Sequence, residues 1–470
     1  MDTTAVQRKR PGLVGAILAA TNFLAVFDGF VVVVALPAIQ ARFTLDALTA
    51  QWVITAYALP LGGLLLAGGR CGDRFGTHRT MRAGLWTFTA GAVLAGLAPT
   101  GWFLLGARAL QGIGAALAVP SSFALISAQA DPARRNKWFG VVAIAGGSGA
   151  AFGAVLGGLV TEGLGWRWVF WLSALIAAAA ALGSDRVLPR DQPQHQSTRL
   201  GLVSAALSVT GLMALVFALT AIDRYGATAP VTLTSAAAAL ILLGLFAVRE
   251  AHATTPLIHW PLLRLPALRA SVAGMPGEEF AYQGTVYIGL LLLQQAFGLS
   301  PATAGLAFVP LGIAVLCGSP LATRLLNRLN WTTVASTTLI GCAAGLVLLS
   351  LTNSRDDLIP VFIPALVLLG LTTAVAAVAL NAAAGKDVPL VHKGVAYGIH
   401  ETSTNLSGAL AVAGLSTIAQ ATAGHTTGTP TWQITHGYHV ALLAAATAST
   451  IAAIAIPLLN RESTRAESSD

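Results

Sequence analysis

The sequence predicts an all-helical protein that crosses a membrane many times, and three observations carry that expectation. Of its 470 residues, 55% are hydrophobic and only 10% charged, with a mean hydropathy of +0.72. Soluble domains carry about 25% charged residues to cover a water-facing surface, and this chain falls well short. Second, apolar runs of about 20 residues, the length a helix needs to cross the hydrocarbon core, follow one another along the chain. Third, Lys and Arg gather in alternate connections between those runs, the asymmetry expected of cytoplasmic loops.

Taken in order, the runs lie near 13–36, 48–69, 80–98, 101–125, 138–162 and 166–184, then 200–221 and 230–248. The last group lies near 270–296, 302–324, 332–351, 357–384, 394–421 and 437–459. Six, two and six make fourteen transmembrane spans. The implied organisation is a cytoplasmic N-terminus over 1–12, a six-helix bundle over 13–184 and a cytoplasmic linker over 185–199. Two inserted helices follow over 200–248, then a linker over 249–269, a second six-helix bundle over 270–459 and a cytoplasmic tail over 460–470.

Arg8, Lys9 and Arg10 precede a first run of about 24 residues that lacks a small-residue cleavage site. It therefore reads as a spanning helix rather than a signal peptide. With that N-terminus inside, Arg42, Arg167, Arg224 and Arg355 fall outside and Arg108 falls within a span. The remaining 22 of the 27 Lys and Arg residues face the cytoplasm, as do both termini. The net charge of +8 is thus a matter of topology and does not indicate a nucleic-acid partner. The three cysteines, Cys71, Cys317 and Cys342, sit in or beside apolar runs with no paired spacing, so neither a metal site nor a disulfide framework is expected. Ala and Gly are abundant, and the 49 glycines suit helices that approach closely in lipid.

Residues 69–79, between the second and third spans, read GRCGDRFGTHR. This resembles the loop motif of the major facilitator superfamily, with Gly69, Asp73, Arg74, Gly76 and Arg79 at the matching places. FDGFVVVVALP (27–37), QWVITAYALPLGG (51–63), RALQGIGAA (108–116) and LLLLQQAFGLSPATAGLAFVP (290–310) are similar to segments of its fourteen-helix drug:proton antiporter family. The resemblance runs over nearly the whole chain with the motifs in the family's order. It implies two six-helix bundles related by an axis along the membrane normal, each built from inverted three-helix repeats. GSPLATRLLNR (318–328) resembles a degenerate second copy of the loop motif. In the fifth span, GAAFGAVLGG (149–158) carries Ala154 where the family's antiporters have Pro. Gly149, Gly153, Gly157 and Gly158 still provide a small face.

Ionisable residues inside spans cost about 2.5–3.5 kcal/mol each on insertion scales and are functional candidates by default. Asp28 in the first span and Arg108 in the fourth both lie roughly 10–14 Å below the outer surface, counted at 1.5 Å per residue. By resemblance, Arg108 matches the fourth-helix arginine implicated in proton transfer, with Gln111 and Gly112 beside it, and Asp28 matches the first-helix acid. Either Asp28 binds a proton or cationic substrate while Arg108 sets its proton affinity, or the two form a permanent structural ion pair. A second group comprises Glu278 and Glu279 in the ninth span and His400 and Glu401 in the thirteenth, roughly 10–14 Å from the inner surface. One residue of each pair is expected to face a cavity, since neighbours on a helix point about 100° apart. A carboxylate beside a histidine can exchange protons there. The alternative is a solvated vestibule with the ninth span starting late, as Gly274, Pro276 and Gly277 suggest.

The resemblance implies that Asp73 contacts a neighbouring helix terminus and acts as a conformational latch, a favourable place for a carboxylate. The plainer alternative is a tight turn at Gly76. Tyr57, Tyr282, Tyr287, Asn381 and Asn405 read as interhelical packing groups, and Trp166, Trp168 and Trp171 as interfacial anchors.

The expected function is that of a secondary transporter of the bacterial cell membrane, exporting hydrophobic or amphipathic drugs in exchange for protons by alternating access. The alternative is a proton-coupled transporter of one metabolite, such as an amino acid, peptide or siderophore; fold alone does not separate the two. The partners expected are a small-molecule substrate, protons and lipid, with the chain a monomer. The chain carries no nucleophile motif, metal set or GKS/GKT phosphate loop, so neither enzymatic chemistry nor ATP-driven pumping is expected. No cofactor is expected, the proton gradient being the energy source.

Overall fold

A bilayer offers no water to unpaired backbone groups, so a chain that crosses it repeatedly must satisfy them within each segment. The structure, a computed structural model, follows that rule. It describes residues 11–127, 132–188, 201–226, 228–253, 260–388, 393–423 and 431–466, and every regular element among them is helical. Arg8, Lys9 and Arg10 and most of the 185–199 linker lie outside the described residues.

The chain divides into two compact units, Met1–Thr210 with Leu243–Leu257, and Gly211–Leu242 with Ile258–Asp470. The helices before the division are α1 (Pro11–Phe43), α2 (Ala47–Phe75), α3 (Thr77–Gly96), α4 (Gly101–Ser127), α5 (Pro132–Gly163) and α6 (Arg167–Val187). Then come α7 (Leu202–Tyr225) and α8 (Pro230–His252), each divided between the two units. The second unit continues with α9 (Pro266–Gln283), extended by π-helical turns at Gly284–Ile288 and Leu292–Ala296. After it come α10 (Pro301–Ala307), α11 (Val309–Leu326), α12 (Trp331–Leu349), α13 (Phe362–Ala384), α14 (Lys393–Ala423) and α15 (Thr431–Ala466). Helix covers each of the fourteen apolar runs read from the sequence. Among the described residues nine helices are long and apolar enough to cross a membrane. The count is ten if the bent pair Thr49–Leu65 and Ala67–Phe75 is one span.

In the first unit α1 lies against α5 and α6, α3 against α4 and α6, and α2 against α4. The α1–α5 contact is made backbone to backbone. A β-carbon on Gly149 would come 2.9 Å from the Phe23 carbonyl oxygen, and one on Gly157 3.1 Å from the Val31 Cα. Gly149, Gly153 and Gly157, four residues apart, thus form the small face read from the sequence, and it seats the helix that carries Asp28. Gly158 is buried beside them, and Ala154 lies within α5.

One expectation changes and one alternative falls away. The 69–79 segment is not a loop, because α2 continues to Phe75 and α3 begins at Thr77. One residue makes the turn: Gly76 adopts φ 100°, open to glycine and strained for other residues, and its N–H bonds to the Gly72 carbonyl at 3.0 Å. Nor does the ninth span start late. α9 runs from Pro266 through Gly274, Pro276 and Gly277 to Gln283. Pro276 has no N–H for the Val272 carbonyl. Ser403 of α14 donates to that carbonyl at 3.2 Å, so a neighbouring helix supplies the missing bond. Of the three anchor tryptophans, Trp168 is 46% exposed, whereas Trp166 is buried edge-on against Phe43 and Phe170.

Candidate functional site

The first-unit site starts from helix placement. Gly112 of α4 sits against the Tyr57 carbonyl and the Pro60 ring of α2, so the two helices touch where Arg108 emerges. Asp28, Arg108 and Gln111 are all fully buried. Arg108 Nη1 donates to Asp28 Oδ2 in a direct ion pair and to Gln111 Oε1 at 3.0 Å. Gln111 Nε2 donates to Asp28 Oδ1 at 3.2 Å, closing a three-residue ring of hydrogen bonds. The pairing expected from equal depth is therefore realised, with Gln111 as its third member.

Arg108 also has partners of its own. Its Nε donates to the Val53 carbonyl at 2.8 Å, and its guanidinium lies over the Tyr57 ring, 4.5 Å from the centroid. Phe170 flanks it at 5.9 Å. Tyr57 is itself fixed by donating its hydroxyl to the Ala25 carbonyl at 3.1 Å, on the helix that carries Asp28. A buried guanidinium over an aromatic face gains up to about 2 kcal/mol when desolvated. Arg108 Nη2 is buried and has no hydrogen-bond partner among the described residues. Nearer the N-terminal end of α1, Asn22 donates to Ser122 Oγ at 2.8 Å and to the Leu18 carbonyl at 2.9 Å, a second polar tie between α1 and α4.

In the second unit the histidine and the α9 carboxylates lie on neighbouring helices but at different levels. His400 stands opposite Ser271 and Glu279 opposite Gly408, about 12 Å apart along the axis at 1.5 Å per residue, so the carboxylate–histidine contact expected from the sequence is not formed. α9 and α14 run side by side in parallel, in a register set by Ser271 with His400, Met275 with Thr404 and Glu279 with Gly408. Ser271 Oγ lies 2.7 Å from the Leu380 carbonyl and 2.9 Å from His400 Nδ1. A hydroxyl has one proton and a carbonyl only accepts, so Ser271 donates to Leu380 and His400 donates from Nδ1 to Ser271. Glu278, Glu279 and His400 are buried and Glu401 is half-buried. Gln283 Nε2 donates to Glu279 Oε2 at 3.4 Å. Glu279 Oε2 lies against Gly408 of α14, about two turns beyond Glu401 on that helix.

The loop-motif residues lie elsewhere in the first unit. Asp73, Arg74 and Arg79 are exposed, and Arg74 lies 5.4 Å over the ring of its neighbour Phe75. Asn381 is exposed. Sequence reasoning missed the Val53 carbonyl, which carries no signal in residue type, and the Ser271 partner of His400, one small hydroxyl among many. Tyr57, read there as packing, is a direct partner of the buried guanidinium.

Residues 18–412 match the Major Facilitator Superfamily. The chain is 36% identical over 419 residues to the puromycin resistance protein pur8 of Streptomyces alboniger, covering 86% of this chain and 80% of that one. It is 30% identical over 404 residues to the lincomycin resistance protein of Streptomyces lincolnensis, covering 84% and 82%. It is 29% identical over 410 residues to the multidrug efflux pump LfrA of Mycolicibacterium smegmatis, covering 86% and 80%. In fold it resembles a crystal structure of the peptide transporter POT, with a TM-score of 0.69 at 15% identity over 98% of this chain and 99% of that one.

Proposed function

The chain belongs to the major facilitator superfamily, and from that premise we propose that it exports hydrophobic or amphipathic compounds, antibiotics among them, in exchange for protons. It is a multi-pass membrane transporter whose relatives include antibiotic resistance and efflux proteins. The proposal adds a bacterial cytoplasmic membrane, fourteen crossings with both termini inside, and a monomer working by alternating access.

One observation carries the coupling part of the proposal. Arg108 is held by the Val53 carbonyl, the Gln111 side chain and the Tyr57 ring in addition to Asp28. If Asp28 takes up a proton, the guanidinium keeps those three contacts, and burial does not strand it. A pair with no other partners would be locked, because breaking it would leave an uncompensated buried charge. Asp28 protonated from outside releases a cationic substrate. Loss of the proton inside restores the ion pair or admits the next cation. The driving force is about 2.3 kcal/mol per charge per 100 mV.

The test is uptake of a cationic dye, and separately of puromycin, into everted vesicles with an imposed acid interior. Gradient-dependent accumulation that collapses with the gradient is the expected outcome. Inserted, folded protein that moves neither probe would contradict drug export. The buried carboxylates around Glu278 would then direct the search to single metabolites.

A further inference from the structure

Arg108 has more N–H donors than acceptors around it. Its Nε is met by the Val53 carbonyl, and its Nη1 by Asp28 and Gln111. Both N–H groups of Nη2 are left over, since that atom is buried and meets no acceptor among the described residues. The Tyr57 and Phe170 rings lie against the guanidinium and bring no carbonyl or carboxylate oxygen to it. Unmet donors on a buried charge are costly and rare in native structures, so each calls for an explanation. A second unmet group belongs to α6. Ser173, one turn beyond Phe170 on the same face, is fully buried, and its hydroxyl has no partner among the described residues. A polar arm that enters beside Phe170 therefore finds an open donor on α4 and an open hydroxyl on α6.

The shortfall grows when Asp28 changes partner. A cationic substrate that takes the Asp28 carboxylate frees a further N–H on Nη1, while Val53, Gln111 and the Tyr57 ring hold the guanidinium in place. Nη1 and Nη2 then present one planar edge of adjacent donors, the arrangement with which arginine grips oxygen acceptors. A substrate that brings only a charge leaves that edge unmet in a buried site. One that carries an oxygen acceptor beside its charge meets it. A neutral carbonyl suits the place better than a second carboxylate, which would add a like charge next to Asp28.

We propose that this site selects cations that carry a neutral oxygen acceptor close to the charge, as in an amino amide or a choline ester. The cation faces Asp28, and the carbonyl oxygen accepts from the Nη1–Nη2 edge of Arg108. Arg108 is then a substrate-binding residue that sets specificity, as well as the counter-ion of Asp28. The inference deepens the export reading above and rests on it.

The test is calorimetric titration of the purified protein with two permanent cations of matched length, benzoylcholine and (4-phenylbutyl)trimethylammonium. They share the ring and the trimethylammonium group, and only the first has an ester between them. Apolar burial alone ranks the alkyl compound first, because methylenes replace the ester. Wild type is expected to bind benzoylcholine several-fold more tightly. Arg108→Lys, which keeps the charge but loses the planar edge, is expected to lose that preference or invert it. Wild type that binds the two equally, binds the alkyl compound more tightly, or binds neither would overturn the proposal. So would a folded Arg108→Lys protein with the wild-type preference; if that variant does not fold, the wild-type ratio alone decides. Binding needs no transport, so failure here leaves dye accumulation in vesicles to judge export. Vesicles that move no dye, while the two cations bind as expected, would instead overturn export.

Discussion

Arg108→Leu is expected to cost about 3–5 kcal/mol of stability, because it leaves the Asp28 carboxylate buried without its counter-charge. The cost arises from the completeness of burial, since Asp28, Arg108 and Gln111 are each 0% exposed. The leucine would also forfeit the Val53 hydrogen bond and the contact with the Tyr57 face. Thermal denaturation of the purified protein in detergent is the measurement, and the apparent melting temperature should fall by many degrees. Asp28→Asn/Arg108→Leu should recover most of that loss, since a buried ion pair replaced by neutral groups is often close to neutral in stability. Stability in the double variant with no return of transport would separate the pair's structural part from its functional one. An Arg108→Leu protein as stable as the wild type would mean that the two charges are not mutually dependent.

Gly153→Val is expected to be the second severe change. A β-carbon at this position would come 2.7 Å from Phe30 Cβ and 2.9 Å from the Phe27 carbonyl oxygen. Both belong to the backbone or the first side-chain atom of α1, so neither can move without shifting the helix. Overpacking of this kind costs about 1–3 kcal/mol where the neighbours can adjust, and more where they cannot. Asp28 lies between these contacts on α1, so the shift moves it relative to Arg108. Transport should therefore fall further than the melting temperature alone would suggest. Gly146→Ala is the internal control, because a β-carbon at Gly146 meets nothing within 4 Å. It should be near neutral in both assays, since alanine is also the better helix former, and equal damage from the two substitutions would show that close approach to α1 does not govern this stripe.

Much of this was legible in the sequence because lipid leaves a chain few options. The apolar runs, the intramembrane Asp28 and Arg108, and the four-residue spacing of Gly149, Gly153 and Gly157 each follow from physics that acts on residue type. Equal depth on two antiparallel spans was enough to suggest the ion pair. Its partners were less accessible: the Val53 carbonyl belongs to a residue whose side chain has no bearing on the site. Breaker residues left an alternative open where tertiary contacts outweigh them. Gly274, Pro276 and Gly277 suggested a late helix start, yet α13, α14 and α15 fill the space they leave, and Ser403 and Ser449 bond the Val272 and Gly277 carbonyls. The motif at 69–79 looked like a loop because its glycines and charges are polar punctuation. Only the φ of Gly76 reveals that a single residue does the turning.

The most direct test of the coupling claim compares wild type with Asp28→Asn in everted vesicles, measuring dye accumulation under an acid interior and dye exchange with no gradient. The amide keeps the shape of the carboxylate but cannot take up or release a proton at that position. Gradient-driven accumulation should be lost while exchange persists, as expected of a transporter uncoupled from its proton but still able to change conformation. Accumulation at the wild-type rate in Asp28→Asn would place the coupling proton elsewhere and reduce the Asp28–Arg108 pair to a structural tie.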